Sequence, residues 1–131
     1  MGKIIDVMKS ADDFYAATGV SETEIKKAEE KLALSFAEEY KDYLRTFGVA
    51  EARGHEYTGI CNSSRLNVVD VTLEEKKKDP LIPADCYVIE QTGVDRIVIW
   101  QSSTGTIYQS VPDVEMIEIY DSFSDYVSYA K

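Results

Sequence analysis

Three residues near the middle of the chain, His55, Cys61 and Asn62, form the one combination that looks catalytic. A cysteine attacks a substrate as the thiolate, which needs a neighbouring base, and that base needs a third group to orient it. The even separation of six residues would put His55 and Cys61 on one face of a short strand. No catalytic family signature surrounds either residue, so a packed cysteine beside a surface histidine is the favoured interpretation. The sequence therefore predicts that the protein is not an enzyme, with a small hydrolase as the minor alternative.

The rest of the chain lacks the residue patterns that hold a metal or a cofactor. One histidine and two distant cysteines, Cys61 and Cys86, cannot supply a zinc set, and no calcium-loop pattern is present. The glycine patterns that bind phosphates and dinucleotides are also absent from the sequence. The acidic pairs at residues 38–39 and 74–75 are expected to lie on solvated helix faces. The sequence predicts no catalytic residue, no metal site and no cofactor.

The charge balance restricts the class of partner. The chain carries 14 lysines and arginines against 24 aspartates and glutamates, a formal net charge of −10, and no segment of it is basic. Direct binding of nucleic acid through its phosphates and binding to anionic membranes are therefore disfavoured. An acidic protein of this kind suits a basic protein partner. The lack of a long apolar run and of a secretion signal predicts a cytoplasmic protein.

The elements that would position any site begin with a pair of helices between residues 21 and 48. Ser21 stands three residues before Glu24, and Ser35 stands three residues before Glu38. Each pair has the spacing of a capping box, which marks the start of a helix. Gly48 is a natural end for the second helix. Each helix has an apolar face at helical spacing, so the two are expected to pack against each other.

The other predicted elements surround this pair. A helical lead-in covers residues 1–18, and the spacing of Ser10 and Asp13 predicts a helix over residues 11–17. Asn67 is expected to cap a helix from about Val68 to Lys78. Short apolar runs separated by turn residues predict an antiparallel meander. The strands of this meander cover residues 86–91, 96–101 and 106–110, a separate short strand covers residues 55–60, and residues 114–120 form a further strand or an irregular lead. A final helix capped by Asp121 or Ser122 shows Phe123, Tyr126, Val127 and Ala130.

The order and composition of these elements predict one domain over residues 1–131 with an α+β fold. At this length, with 44% hydrophobic and 29% charged residues, the chain can bury its own core. N-terminal helices, an antiparallel β-meander sheet and a closing C-terminal helix would form separate layers. The middle strand of the meander is apolar from Ile97 to Trp100 and is expected to be covered on both faces or central in the sheet.

Several of these motifs together carry a resemblance to a known family. They comprise a helix ending in Glu29-Glu30-Lys31-Leu32, the connector Leu34-Ser35-Phe36, the helix start Glu38-Glu39-Tyr40 with Tyr43-Leu44 and Gly48, the pair Gly59-Ile60, and Ser122-Phe123 before the last helix. Over roughly residues 18–130 this pattern resembles the SUKH superfamily. Family members usually have Leu-Pro in the connector, where this chain has Ser35-Phe36-Ala37.

The resemblance implies a function in protein binding. Many bacterial SUKH members look like immunity proteins, which bind a cognate polymorphic toxin and block its active site. Because such toxins are often nucleases or other nucleic-acid-directed enzymes, the resemblance implies a partner with a basic surface, which the net charge of −10 would suit. The alternative is a regulatory interaction module without a toxin partner, as in the related fungal regulator of cell-wall synthesis. The sequence does not predict the oligomeric state.

The binding surface is expected on the sheet and its loops, because the apolar faces of the helix pair are committed to the core. Trp100 is either a tryptophan of the core or an anchor at the partner interface. Tyrosines can serve a similar role because the ring has a polar tip. The candidate partner-binding residues, an acidic surface with aromatic anchors, are Glu56, Asp70, Glu90, Asp95, Trp100 and Tyr108.

Overall fold

The computed structural model describes residues 3–129, which form five helices and seven strands. The helices are α1 Lys3–Lys9, α2 Glu22–Leu32, α3 Glu38–Phe47, α4 Val68–Lys78 and α5 Phe123–Tyr129. The strands are β1 Tyr15–Ala16, β2 Ala50–Ala52, β3 His55–Glu56, β4 Tyr87–Gln91, β5 Val98–Gln101, β6 Ile107–Ser110 and β7 Ile117–Tyr120. The predicted α+β class with a closing C-terminal helix is confirmed.

The strands form two antiparallel sheets. The smaller sheet has the order β1-β2-β3, and the larger sheet is the predicted meander in the order β4-β5-β6-β7. The strands of the meander lie within the predicted ranges. The predicted strand over residues 55–60 is shorter than expected, because only His55–Glu56 pairs with β2 while Gly59 makes an isolated parallel bridge to Asn67.

Three helix starts follow the predicted capping. The Ser21 side chain accepts from the Glu24 N–H while the Glu24 carboxylate accepts from the Ser21 N–H, a complete capping box before α2. The Asn67 side chain accepts from the N–H groups of the first turn of α4, whose bounds are those predicted. The Ser122 hydroxyl accepts from the Asp125 N–H before α5. Ala130, predicted on the apolar face of this last helix, lies outside the described residues.

The start of α3 differs from the prediction. Its N-cap is Ala37, which makes no side-chain cap, and Ser35 takes no part in one. The two N–H groups just before the helix are bound from elsewhere in the fold, since the Phe36 N–H donates to the Glu29 carboxylate at 2.8 Å and the Ala37 N–H donates to the Tyr87 hydroxyl at 2.9 Å. Partners on α2 and β4 therefore fix the chain as it enters α3, where the sequence predicts a local cap.

The predicted helix over residues 11–17 is wrong. Helix α1 covers Lys3–Lys9, and the chain then continues into β1, which pairs with β2. Asp13 does not act in a capping box, because its carboxylate accepts from the N–H groups of Arg53 and Gly54 at 2.6 and 2.8 Å. These two hydrogen bonds lower the pKa of the exposed Asp13 carboxyl. They tie the lead-in to the β2–β3 hairpin.

The larger sheet separates two apolar clusters. The main core lies between helices α1, α2, α3 and α5 and one face of the sheet, and it includes the buried tyrosines Tyr40, Tyr43 and Tyr87. A smaller cluster lies between α4 and the opposite face, around Val71 and Trp100. All four residues of β5 are buried, so this strand is covered on both faces as predicted.

Candidate partner-binding surface

Two of the six candidate residues, Glu90 and Trp100, are buried, which corrects the expectation that they belong to an exposed surface. Trp100 has no exposed area, and its indole N–H donates to the Ser110 hydroxyl at 2.8 Å. The ring packs with Val71 and Val98 in the cluster under α4. The core interpretation of this tryptophan is therefore the correct one, because α4 covers this face of the sheet and a partner cannot reach the ring.

Glu90 joins three elements from inside the protein. Only 5% of the residue is exposed, and its carboxylate accepts from His55 on β3 at 2.7 Å and from the Tyr126 hydroxyl on α5. Burial, followed by the nearby Glu90 charge, raises the pKa of Tyr126, so its hydroxyl stays protonated as a donor. A substitution at Glu90 would therefore disturb the fold before it disturbed any partner.

The other four candidate residues lie on four different elements. Glu56 is exposed on β3 and is paired with Arg65 at 2.8 Å, a hydrogen bond that lowers the pKa of Glu56. Asp70 is exposed on α4, and Asp95 is exposed in the β4–β5 turn. Tyr108 is half-buried beside the Trp100 cluster. The structure does not bring the six residues together into one surface.

An open cleft lies beside Glu90, between the sheet, α5 and the β2–β3 hairpin. Its volume is about 820 Å³, and its lining includes Arg53, His55, Glu90, Ile99, Tyr120 and Tyr126. This volume is within the range of small-molecule sites, which is roughly 300–1,000 Å³. The two ring systems of Tyr120 and Tyr126 lie 5.9 Å apart. The cleft combines apolar walls with a buried carboxylate, and its described lining includes neither a cysteine nor a serine.

The catalytic hypothesis for Cys61 gains no support from the geometry. His55 Nδ1 is engaged by Glu90, while Cys61 Sγ is directed at the Ser63 carbonyl oxygen at 3.6 Å. A thiol that is to be activated must lie within hydrogen-bond reach of its base. No hydrogen bond joins the two side chains in the part of the chain that the structure describes.

The two cysteines are expected to differ sharply in reactivity. Cys86 is buried, and burial raises the pKa of its thiol to about 12, so that roughly one molecule in 10⁴ would carry the thiolate at pH 8. Cys61 is partly exposed. We expect one thiol per native chain to react with an aromatic disulfide reagent at pH 8, and the second only in denaturant. A Cys61→Ser variant should show no fast reaction, and rapid reaction of both thiols in the native protein would contradict the assigned burial of Cys86.

A different surface has the character expected for partner binding. The segment 113–121 contains four acidic residues and no basic one, and it includes β7. All four acidic residues are exposed. Exposed apolar side chains lie between them, with Ile117 57% and Val114 51% exposed. The acidic residues of this surface, which we call the acidic edge, are Asp113, Glu115, Glu118 and Asp121. The C-terminal concentration of negative charge was the sequence signal for it.

The candidate residue Asp95 lies at the same end of the sheet as the start of the acidic edge. The β4–β5 turn and the β6–β7 loop share this end because the strands alternate in direction. Residues of both connections, Gly93 and Arg96 from one and Pro112 and Asp113 from the other, line a cavity of about 430 Å³. The β4–β5 turn, the β6–β7 loop and the edge strand β7 thus adjoin one another at this end of the sheet.

Two features of the described residues bear on other kinds of site. Among residues 3–129, no helix combines the length and the apolar character that crossing a bilayer requires. Over the same range, no group of three or more histidine, cysteine, aspartate or glutamate side chains is placed so that it could hold a metal ion.

Comparison with known proteins assigns the fold to a family. A crystal structure of a protein from Pseudomonas syringae pv. tomato superimposes with a TM-score of 0.74 at 16% sequence identity, covering 97% of this chain and 95% of that chain. At this identity the likeness establishes the fold alone. No curated protein matches the chain. The chain matches the family SUKH_5, described as SMI1-KNR4 cell-wall, over residues 1–129. This protein therefore belongs to the SMI1-KNR4 family of the SUKH superfamily, as the motifs of its helix pair predict.

Proposed function

We propose that this protein is an immunity protein, which binds a cognate bacterial toxin and neutralises it by covering its active site. The toxin is a nuclease or another enzyme that acts on nucleic acid, and the protein acts in the cytoplasm. The proposal assigns no catalytic role to the chain. It places the contact at the acidic edge and the neighbouring turn of Asp95, which is the one of the six candidate residues that it keeps.

The observation that carries the proposal is the composition of the acidic edge. Four exposed carboxylates lie along this segment with no lysine or arginine among them, and exposed apolar side chains lie between them. A nucleic-acid-directed enzyme needs a basic groove for the phosphates of its substrate. An acidic protein surface can occupy such a groove in place of the polyanion. The apolar side chains between the charges would supply the desolvated contacts that charge alone does not.

The net charge of −10 supports fast capture of such an enzyme. Complementary charge steers encounter and can raise association rates by roughly 10 to 10³-fold at low salt. Speed matters for an antidote, because a free toxin acts until it is bound. The family assignment supports a binding role of this kind, and a regulatory interaction module without a toxin is the function that remains if no toxin is neutralised.

The proposal is tested by co-expression in bacteria with secreted toxins encoded next to this gene. Growth should be restored by this protein and not by an unrelated acidic protein of similar size. The purified pair should form a stoichiometric complex in which the activity of the toxin on nucleic acid is lost. If every neighbouring toxin kills unhindered and none is captured, the immunity role is wrong.

Charge reversal at the acidic edge is expected to weaken toxin capture at least tenfold, which corresponds to about 1.4 kcal/mol. The variant is Glu115→Lys with Glu118→Lys, two exposed positions at which charge reversal should shift stability by about 0.5 kcal/mol or less. The matched control is Glu30→Lys with Glu74→Lys, which makes the same change in net charge on the exposed faces of α2 and α4.

Association rates of the two variants should be measured at low and high salt. Capture by the unaltered protein should slow as salt increases, because exposed charges are screened over roughly 10 Å at 0.1 M. Equal loss in both variants would mean that overall charge alone drives binding, and would remove the acidic edge from the interface.

A further inference from the structure

The two edges of the larger sheet are treated differently by the rest of the protein. On the outer side of β4, the Val88 N–H donates to the Thr72 hydroxyl at 3.0 Å, and the Val88 carbonyl accepts from the Thr58 hydroxyl at 2.7 Å. The Thr58 N–H also donates to the Ile89 carbonyl at 2.8 Å. These three hydrogen bonds close the β4 edge, so no further strand can pair there.

The opposite edge, β7, has no such cover. Its residues Ile117–Tyr120 pair with β6 on one side. On the other side, no main-chain group of this strand makes a hydrogen bond to any described residue. Ile117 and Glu118 are exposed, so solvent and a partner can reach this edge. A free edge of this kind is a template for another strand, and proteins normally protect it with lysines, prolines, bulges or a covering element. Of these, β7 has one irregularity, a register shift in its pairing with β6 between Glu118 and Tyr120.

The charges along β7 decide which strand can pair with it. A second copy of the chain would bring two acidic edges together, and like charges on adjacent strands destabilise the pairing. Neither a lysine nor an arginine occurs between Asp113 and Asp121 to relieve that repulsion. A strand that carries lysines or arginines would meet complementary charge instead. The exposed side chain of Ile117 would pack against an apolar residue of the same strand.

We propose that the outer edge of β7 binds an extended basic segment of the partner protein, which adds to the sheet as a fifth strand. Main-chain hydrogen bonds to Ile117–Tyr120 supply the affinity common to strand addition. The carboxylates of Glu115 and Glu118 select lysine and arginine side chains, and the exposed apolar side chains set the register. The proposal rests on the proposed function only for the identity of the partner, since strand addition can be tested without the toxin.

The test uses three synthetic peptides of identical charge and the isotope-labelled protein. The first has about ten residues and alternates lysine and valine. The other two carry N-methyl groups on every second residue, which remove the main-chain donors on one side of the strand. The first peptide should shift the amide resonances of residues 117–120 and bind at least tenfold more tightly than both N-methylated forms, one for each register. Equal affinity of all three, or shifts confined to the β2–β3 hairpin side of the cleft or to α2, would overturn the proposal.

A charge-swap experiment separates strand addition from a general attraction to the acidic protein. Glu118→Lys should weaken binding of the lysine–valine peptide at least threefold, while the control Glu74→Lys on α4 should leave that affinity unchanged. Glu118→Lys should also bind the matching glutamate–valine peptide more tightly than the unaltered protein does. If Glu118→Lys changes neither affinity, β7 is not the binding site. If the peptides behave as expected but no toxin is neutralised, the immunity role fails and the strand site stands. If a toxin is neutralised while the peptides ignore β7, the strand site is wrong.

Discussion

Replacing Gly59 by alanine is expected to destabilise the protein by more than about 3 kcal/mol, because the new side chain would collide with the backbone. A Cβ atom on Gly59 would lie 1.9 Å from the Gly48 carbonyl oxygen and 2.9 Å from Val49 Cα. Neither segment can withdraw easily. The Gly48 carbonyl accepts from the Ile60 N–H at 3.0 Å, and the Gly59 carbonyl accepts from the Val68 N–H at 2.7 Å.

The matched control for this prediction is Gly93→Ala. Gly93 has a φ of +75°, but a Cβ atom there would meet no atom within 4 Å. Only the backbone cost of the left-handed conformation applies, which is about 1 kcal/mol. Urea unfolding of both variants measures the difference, and insoluble expression of Gly59→Ala alone would agree with it. Similar stabilities of the two variants would show that the chain relaxes around Gly59.

The elements predicted most accurately are those whose signals are local. The capping box of Ser21 and Glu24 and the Asn67 cap use side chains within three residues of the groups they satisfy. Such hydrogen bonds depend on spacing along the chain, so the sequence displays them directly. The meander was predictable for a similar reason, because short turns join strands that are neighbours in sequence.

The predictions at Ser10 and Ser35 failed because distant partners hold the chain close to both positions. Asp13 is drawn to the hairpin at Arg53 and Gly54, some forty residues away. The Ala37 N–H finds the Tyr87 hydroxyl, fifty residues away. A capping pattern indicates that a local bond can form, but it carries no information on a competing donor or acceptor that tertiary folding brings close.

The candidate site was harder to predict than the fold. The expectation for β5, covered on both faces or central in the sheet, favoured the core interpretation of Trp100 in its first form only, and that form is the one observed. The burial of Glu90 had no such signal. A glutamate in a strand is ordinarily exposed, and its burial here depends on His55 and Tyr126, which come from two other elements.

Glu39 shows the same difficulty in a helix. The acidic pair at residues 38–39 was expected on a solvated face, and Glu38 is indeed exposed. Glu39, one residue later, is directed inward and is partly buried. Its carboxylate accepts from the Phe123 N–H, the Ser124 N–H and hydroxyl, and the Gln101 side chain. One side chain of α3 therefore holds the start of α5 and the end of β5.

Glu39→Ala is expected to destabilise the protein by about 3 kcal/mol, because hydrogen bonds to a charged group contribute about 1.5–3 kcal/mol each and are not additive. The change leaves the first N–H groups of α5 without their acceptor and removes one of the two acceptors of the Gln101 amide nitrogen, which keeps its bond to the Gly105 carbonyl. Helix α5 carries Tyr126, which donates to Glu90, so a loosened α5 should also disturb the side of the cleft that these two residues line.

Glu39→Gln should destabilise the protein less than Glu39→Ala. Its amide oxygen can still accept from the Phe123 N–H, although its amide nitrogen cannot accept from Ser124. Urea unfolding gives the free energies, with Glu38→Ala as the exposed control that changes the same charge. Hydrogen exchange should show faster opening of α5 in Glu39→Ala, and a variant as stable as the Glu38 control would mean that solvent replaces these bonds without cost.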